Sequence, residues 1–367
     1  MKNRLYVKYH DRLVGILALT KEKNVVFEYS QDWLENGFSI NPFSLPLVKK
    51  VFVPTKHHFN GLFGVFADSL PDSWGELLLE RYLRNKLNEE INVIDRLAII
   101  GSSGMGALEY EPEIENNISY HNLSLDEINF ECGKILSNET SKELDNIFKL
   151  GGSSGGARPK VLMNIDGRNW LIKFSNHIDH KDSGLIEYEY SLCAKKCGIN
   201  VPEVKLFESN LTSGYFGIER FDIKDNKKVH MVSVAGLLEL DFRSPCMDYT
   251  DLIKLTAMLT NNSDVYEMYR RMCFNVFSHN RDDHTKNVTF IYDEENKMWK
   301  LSPAYDLTYS NTYFGEHTTS VNGKGTNITD ADLLTVGLKN NLAKDKCINI
   351  INEIKSIVNK ELKKYLK

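Results

Sequence analysis

Asp282 precedes Asn287 by five positions in SHNRDDHTKN, and Asp306 follows nineteen residues further on in SPAYDL. A carboxylate and an amide at this D-x-x-x-x-N spacing suit phosphoryl transfer, where a protein cradles phosphates, places a lysine, holds a divalent metal with oxygens and orients an attacking hydroxyl. On a short loop Asp282 can face the acceptor hydroxyl as base, while the Asn287 amide oxygen turns back to a cation lying over the phosphates. Between Asn287 and Asp306, two alternating runs flank the polar stretch DEEN and predict a hairpin. A hairpin brings its ends together, so Asn287 and Asp306 are expected side by side as ligands of Mg2+. The neighbouring Asp283 and His284 have no second His or Cys at zinc spacing, and magnesium prefers oxygen, so both receive supporting roles. His284 is expected to orient the loop by hydrogen bonding in preference to moving a proton, and with Lys286 it belongs to the nucleotide-facing set.

A cradle for the phosphates is found upstream. In GGSSGGARPK the backbone around Ser154, Gly155, Gly156 and Ala157 can wrap phosphate oxygens, with Arg158 and Lys160 adding positive charge. The runs KVLMNI and NWLIKF around Asp166-Gly167 form a hairpin signature, and its second strand carries Lys173 toward the α- and β-phosphates. A lysine among apolar neighbours needs a counter-ion. Glu187 on the following helix is the natural one and Glu189 the alternative, and the sequence does not choose between them. Glu219 and Phe221 in GIERFD mark a strand whose backbone can bond adenine, balanced evenly against a plain solvent-facing strand. The other glycine-rich stretch, GSSGMGAL from Gly101, has no adjacent lysine and runs into EYEPEIE, which makes it a structural turn.

These residues need elements to hold them. The first thirty residues read as a small antiparallel sheet, LYVKY, LVGILAL and NVVFEY. In FADSLPDSWGELLLERYLRNKL, Asp72 or Ser73 can cap a helix whose Trp74, Leu77, Leu78, Tyr82 and Leu83 share one face, a packing helix without chemistry. Residues 111–145 are polar and predict a joint, dividing the chain into 1–145 and 146–367, with strands and the nucleotide loop in 146–225 and helices with the catalytic loop in 226–367. Strands with one helix, then helices carrying one hairpin, is the order of an α+β, two-lobed protein-kinase-like fold with an N-terminal β-rich subdomain and a mainly helical C-terminal lobe. The chain's 367 residues are 42% apolar, enough for two folding units. A net charge of −5 argues against a broadly basic nucleic-acid binder. Six cysteines without a CxxC pair, no signal-peptide core and no long apolar run predict a reduced, cytoplasmic protein without membrane contact.

Taken together, LYVKYHDRLVGILAL, FADSLPDSWGELLLER, GSSGMGALEY, GGSSGGARPK, GIERFD, NRDDHTKNV and SPAYDL resemble the HipA family, serine/threonine-kinase toxins of bacterial toxin-antitoxin modules, over nearly the whole chain. The resemblance implies that Asp282 is catalytic, that Asn287 and Asp306 hold Mg2+, that Lys173 contacts ATP, and that Glu219 with Phe221 lines the nucleotide pocket. It implies autophosphorylation at Ser153, with Ser154 adjacent and chemically equivalent, where a dianion would repel ATP phosphates. It further implies a HipB-like helix-turn-helix antitoxin, DNA contact only through that partner, and a protein substrate such as an aminoacyl-tRNA synthetase. The loop departs from the family's Gln/Glu-containing version and its connection to Lys173 is shorter, which bears on loop dynamics and self-inactivation. Two other readings stand beside this one. A small-molecule phosphotransferase can use the same D-x-x-x-x-N and Asp arrangement, but the family-like block before residue 110 favours the toxin. A catalytically silent partner-binding module is disfavoured by the intact Lys173, Asp282, Asn287 and Asp306.

Overall fold

A computed structural model describes residues 3–56, 58–86, 91–114, 123–151, 156–175 and 181–366. The chain divides into two compact units. One comprises Met1–Gly184, Phe207–Val232 and Gly236–Glu239; the other comprises Leu185–Leu206, Ser233–Ala235 and Leu240–Lys367. Residue 145, where composition predicts a joint, lies inside the first unit, within helix Leu144–Gly151, whose Ile147 and Phe148 share one core with Ile128 and Ile135.

The first unit holds an antiparallel sheet with spatial order Val51–Phe52, Val25–Tyr29, Arg12–Leu19, Arg4–Tyr9 and Leu108–Glu111. Period-two alternation builds it: Leu5, Val7 and Tyr9 are buried, while Arg4 and Tyr6 face outward. A second antiparallel set, Lys160–Ile165, Arg168–Lys173 and Tyr215–Glu219, carries Lys160, Lys173 and Glu219. Its hairpin turns through Asp166 at φ 53° and Gly167 at φ 78°, the two left-handed residues that a tight two-residue connection requires. Helices Ser73–Lys86, Leu125–Leu136 and Leu144–Gly151 cover this sheet. Trp74, Leu78, Ile128, Ile147, Val161 and Ile172 meet in one core, and Tyr82 stacks on Phe148 with ring centroids 4.5 Å apart. Each such large side chain contributes about 1.5–3 kcal/mol on burial.

The first glycine-rich stretch is a structural turn. Gly101 and Gly106 take positive φ, the Gly106 amide donates to Asp222 at 2.9 Å, and Lys228 Nζ donates to the carbonyls of Ser102 and Gly104.

The second unit is mainly helical. Helix Asn262–Ser278 is buried along most of its length and packs on Lys344–Glu361, Tyr249–Leu259 and Asp330–Lys339. Asn261 caps its start, accepting the amides of Ser263 and Asp264, and left-handed His279 ends it, turning the chain into the next loop. The predicted hairpin forms from Thr289–Asp293 and Met298–Leu301, with Phe290 opposite Leu301. Helix Ser183–Lys196 ends where Gly198 takes φ 71°. No helix among the described residues is long and apolar enough to cross a membrane.

Candidate active site

In the second unit, the loop after His279 runs from Asn280 to a short 3-10 turn at Thr285–Asn287. Two adjacent carboxylates on it point opposite ways. The Asp282 side chain is 58% exposed, whereas that of Asp283 is 1% exposed. Asn287 Nδ2 donates to the Asp282 carbonyl at 2.9 Å, which leaves Oδ1 as the amide's acceptor oxygen. From the far end of the hairpin, Tyr305 OH donates to the Lys286 carbonyl at 2.7 Å and accepts from Thr289 Oγ1 at 2.6 Å. This tie holds Asp306 next to the catalytic loop, and Asn287, Asp306, Asn280 and Asp283 line one cavity. Asp306 itself takes left-handed backbone, φ 58°, a conformation Asp tolerates better than most residues.

The loop's orienting bonds come from Asp283. Its Oδ2 accepts from Tyr249 OH at 2.9 Å and His317 Nδ1 at 3.0 Å, and its Oδ1 accepts the Thr319 amide at 3.1 Å. The hydrogen-bonding role expected of His284 is therefore taken by its neighbour. His284 Nε2 lies 3.9 Å from Asp282, and its ring packs on Phe242, whose face also receives Lys286 Nζ at 4.9 Å.

In the first unit, Lys160 stands directly opposite Lys173 in the ladder, so two ammonium groups share one face of the sheet. Lys160 is buried, and Lys173 Nζ lies 5.7 Å from the Phe216 ring centroid. Of the predicted loop, Ser153, Ser154 and Gly155 lie outside the described residues; Gly156, Ala157 and Arg158 lie at its end, before the Lys160 strand. Gly156 is anchored by the helix to which packing alone was assigned: its amide donates to Asp72 Oδ1, and its carbonyl accepts the Trp74 amide at 3.1 Å. Glu219 sits opposite Trp170 and near Arg168, at 3.7 Å, while Phe221 follows the strand's end. Beside them, Arg220 grips the buried Asp222 through Nε and Nη2.

Glu187 and Glu189, on helix Ser183–Lys196, differ sharply. Glu187 is 1% exposed, whereas Glu189 accepts from Lys364 and from Tyr365 OH at 2.9 and 2.7 Å.

The oxygen set of Asn287 and Asp306 fits a magnesium ion, which keeps several waters and takes few protein ligands. Among the described residues no group of three or more His, Cys, Asp or Glu converges as a closed metal cage.

Comparison with known proteins decides the family. The HipA N-terminal domain model matches residues 5–111, and the HipA-like C-terminal domain model matches residues 152–361. The chain belongs to the HipA family. The structure of the Shewanella oneidensis MR-1 toxin-antitoxin system HipA, in complex with HipB and its operator DNA, is similar at a TM-score of 0.74 and 17% identity, over 98% of this chain and 90% of that one. That likeness shows that this HipA-family chain shares the α+β fold of that protein. The Helicobacter pylori proinflammatory kinase CtkA gives a TM-score of 0.37 at 13% identity, over 56% of this chain and 89% of that one. No curated protein sequence matches.

Proposed function

We propose that this HipA-family chain is a toxin acting as an ATP-dependent serine/threonine protein kinase. The observation that carries the reading is the convergence of Asn287 and Asp306 on one cavity beside an outward-facing Asp282. Asp282 accepts the proton of the acceptor hydroxyl, and Asn287 Oδ1 with the Asp306 carboxylate would hold Mg2+, which when bound would supply positive charge against the phosphoryl group. Arg158, Lys160 and Lys173 bind phosphate oxygens, together with backbone of the loop from Ser154 to Ala157. Glu187 is the proposed counter-ion of Lys173, with Glu189 the alternative. Glu219 and Phe221 line the adenine side, and Lys286 with His284 completes the nucleotide-facing set. The self-modified residue is Ser153 or Ser154, and the substrate is a bacterial protein of the translation machinery. A HipB-like helix-turn-helix antitoxin is the partner, through which any DNA contact is made, supported by the assembly in which the Shewanella protein was solved.

The test is incubation with labelled Mg2+-ATP, alone and with a bacterial extract, beside Asp282→Asn, followed by mapping of labelled residues. Label on a loop serine and on an extract protein is expected, reduced in the variant by about 10³-fold or more with ATP binding retained. Binding of ATP without any protein label would turn the reading toward a small-molecule phosphotransferase.

A further inference from the structure

The catalytic loop carries a second carboxylate that the phosphoryl-transfer roles leave unused. In an extended stretch neighbouring side chains project to opposite sides, so whatever fixes Asp283 inward also fixes the direction in which Asp282 projects outward. The bonds to Asp283 form a chain with a defined polarity. Asn280 Nδ2 donates to Asn275 Oδ1 at 3.0 Å, and Asn275 Nδ2 donates to Tyr249 OH at 2.8 Å. The single Tyr249 hydroxyl proton then goes to Asp283 Oδ2. A carboxylate only accepts, so His317 must carry its proton on Nδ1 to make its own 3.0 Å bond.

The third strand of this arrangement comes from beyond the metal-side Asp306. The Thr318 amide and Oγ1 both donate to the Arg281 carbonyl, at 3.0 and 3.1 Å, and Thr319 Oγ1 donates to the Asp283 carbonyl at 2.5 Å. His317 is itself held by its amide, which donates to the Gly325 carbonyl at 2.9 Å. The residues on both sides of Asp282 are thus bonded to one segment, His317–Thr319. On the opposite side Asn287 holds the Asp282 carbonyl. These ties act on the backbone of Asp282 and leave its carboxylate exposed.

We propose that Asp283 and His317 are positioning residues for the phosphotransfer reaction: a buried carboxylate–imidazole pair that acts through Asp282 by setting its direction. This rests on the kinase reading only for its effect on turnover; the effect on the loop is independent of it. Aligning the base is worth far more to the chemical step than to nucleotide affinity, since a displacement of about 1 Å in a reacting group costs about 10²-fold in rate.

His317→Ala removes one donor, and His317→Asn returns an amide donor near the Nδ1 position. Hydrogen exchange at the amides of residues 281–287 is measured together with kcat, the ATP dissociation constant and the melting temperature, using the chain's own loop serines as acceptor. In His317→Ala exchange is expected to quicken about tenfold or more at these amides, while amides of helix Asn262–Ser278 stay protected. The value of kcat falls about 30- to 100-fold at an unchanged ATP dissociation constant, and His317→Asn recovers most of both effects. Unchanged exchange at 281–287 would overturn the proposal. So would a loss of kcat that merely tracks a lowered melting temperature and is not recovered by Asn. If the unmodified chain transfers no phosphate, the kinase reading fails, and exchange alone still decides whether His317 orders the loop.

Discussion

Asp222 in the first unit and Asp283 in the second are both sealed from solvent and both saturated with donors, yet the donors differ in kind. Asp222 faces a cation two residues away: Arg220 meets it with Nε at 3.0 Å and Nη2 at 2.7 Å, and the Gly106 amide adds a third bond. Burial by itself pushes the Asp222 carboxyl up, but Arg220 and the Gly106 amide more than offset this and hold it below the ordinary carboxylate value. Asp283 is met by a phenol, an imidazole and an amide, and it lies next to an exposed carboxylate in the chain. The first arrangement closes on itself and fastens a turn to a strand end. The second is open on one side, and its rigidity is passed to a neighbour. Burying a carboxylate serves stability in one place and aim in the other.

The comparison breaks if Asp222 matters to turnover beyond folding. Asp222→Ala leaves the Arg220 guanidinium, whose side chain is 9% exposed, without its partner. Removing one member of such a pair costs about 3–5 kcal/mol. Urea unfolding should register that loss while kcat per folded molecule stays at the parent value; a fall in kcat at full folding would refute the division of roles.

A second effect, nearly as large, comes from pH. His230 shares the first unit with Asp222 and is fully buried, and burial lowers its pKa to about 4, against a smaller upward pull from the Ile40 carbonyl. Its folded value lies below the ordinary 6.5, so between these limits the unfolded chain binds a proton that the folded chain refuses. Stability from this group is complete above pH 6.5 and is lost as pH falls toward 4, by about 3 kcal/mol over the window. Denaturant midpoints across that range should fall for the parent and flatten for His230→Asn; parallel curves would remove His230 from the account.

The smallest effect is expected at the turn that Asp222 fastens. Gly106 has φ 72°, and an added Cβ would lie 2.8 Å from Met231 Cγ, the flexible part of a side chain that can shift. Gly106→Ala should cost about 1–2 kcal/mol, mostly from the left-handed backbone. A neutral or stabilising change in thermal unfolding would mean that the turn relaxes freely.

Where structure is local in sequence, it was legible there. The Asp166-Gly167 turn and the helix end at Gly198 are each written in a few consecutive residues, and the polar DEEN stretch foretold the hairpin that returns Asp306 to Asn287. The anchoring of these parts is not local. Tyr249, His317 and Thr319 reach Asp283 across 34, 34 and 36 residues, and Asp72 reaches Gly156 across 84. No periodicity spans such gaps, so DDH offered two polar residues of equal standing and no means to tell which turned inward. The aromatic before Asp306 was a usable signal: a Tyr beside a metal-type aspartate has a hydroxyl that can fasten the segment. The polar stretch 111–145 lies inside the first compact unit for a different reason: composition reports the outward faces of helices such as Leu125–Leu136, whereas Ile128, Cys132 and Ile135 are what join them to the sheet.

The Tyr305 tie has a consequence for how the chain can change over evolutionary time. It fastens the base of the hairpin, where Asn287 and Asp306 depart, and the Phe290–Leu301 pairing lies just beyond it. The tip at Asp293–Lys297 lies at the other end of the ladder, and its Glu294 and Glu295 are both exposed. The hairpin therefore works as a caliper whose jaws are clamped at its base: residues can be gained or lost at the exposed tip without altering the spacing of Asn287 and Asp306.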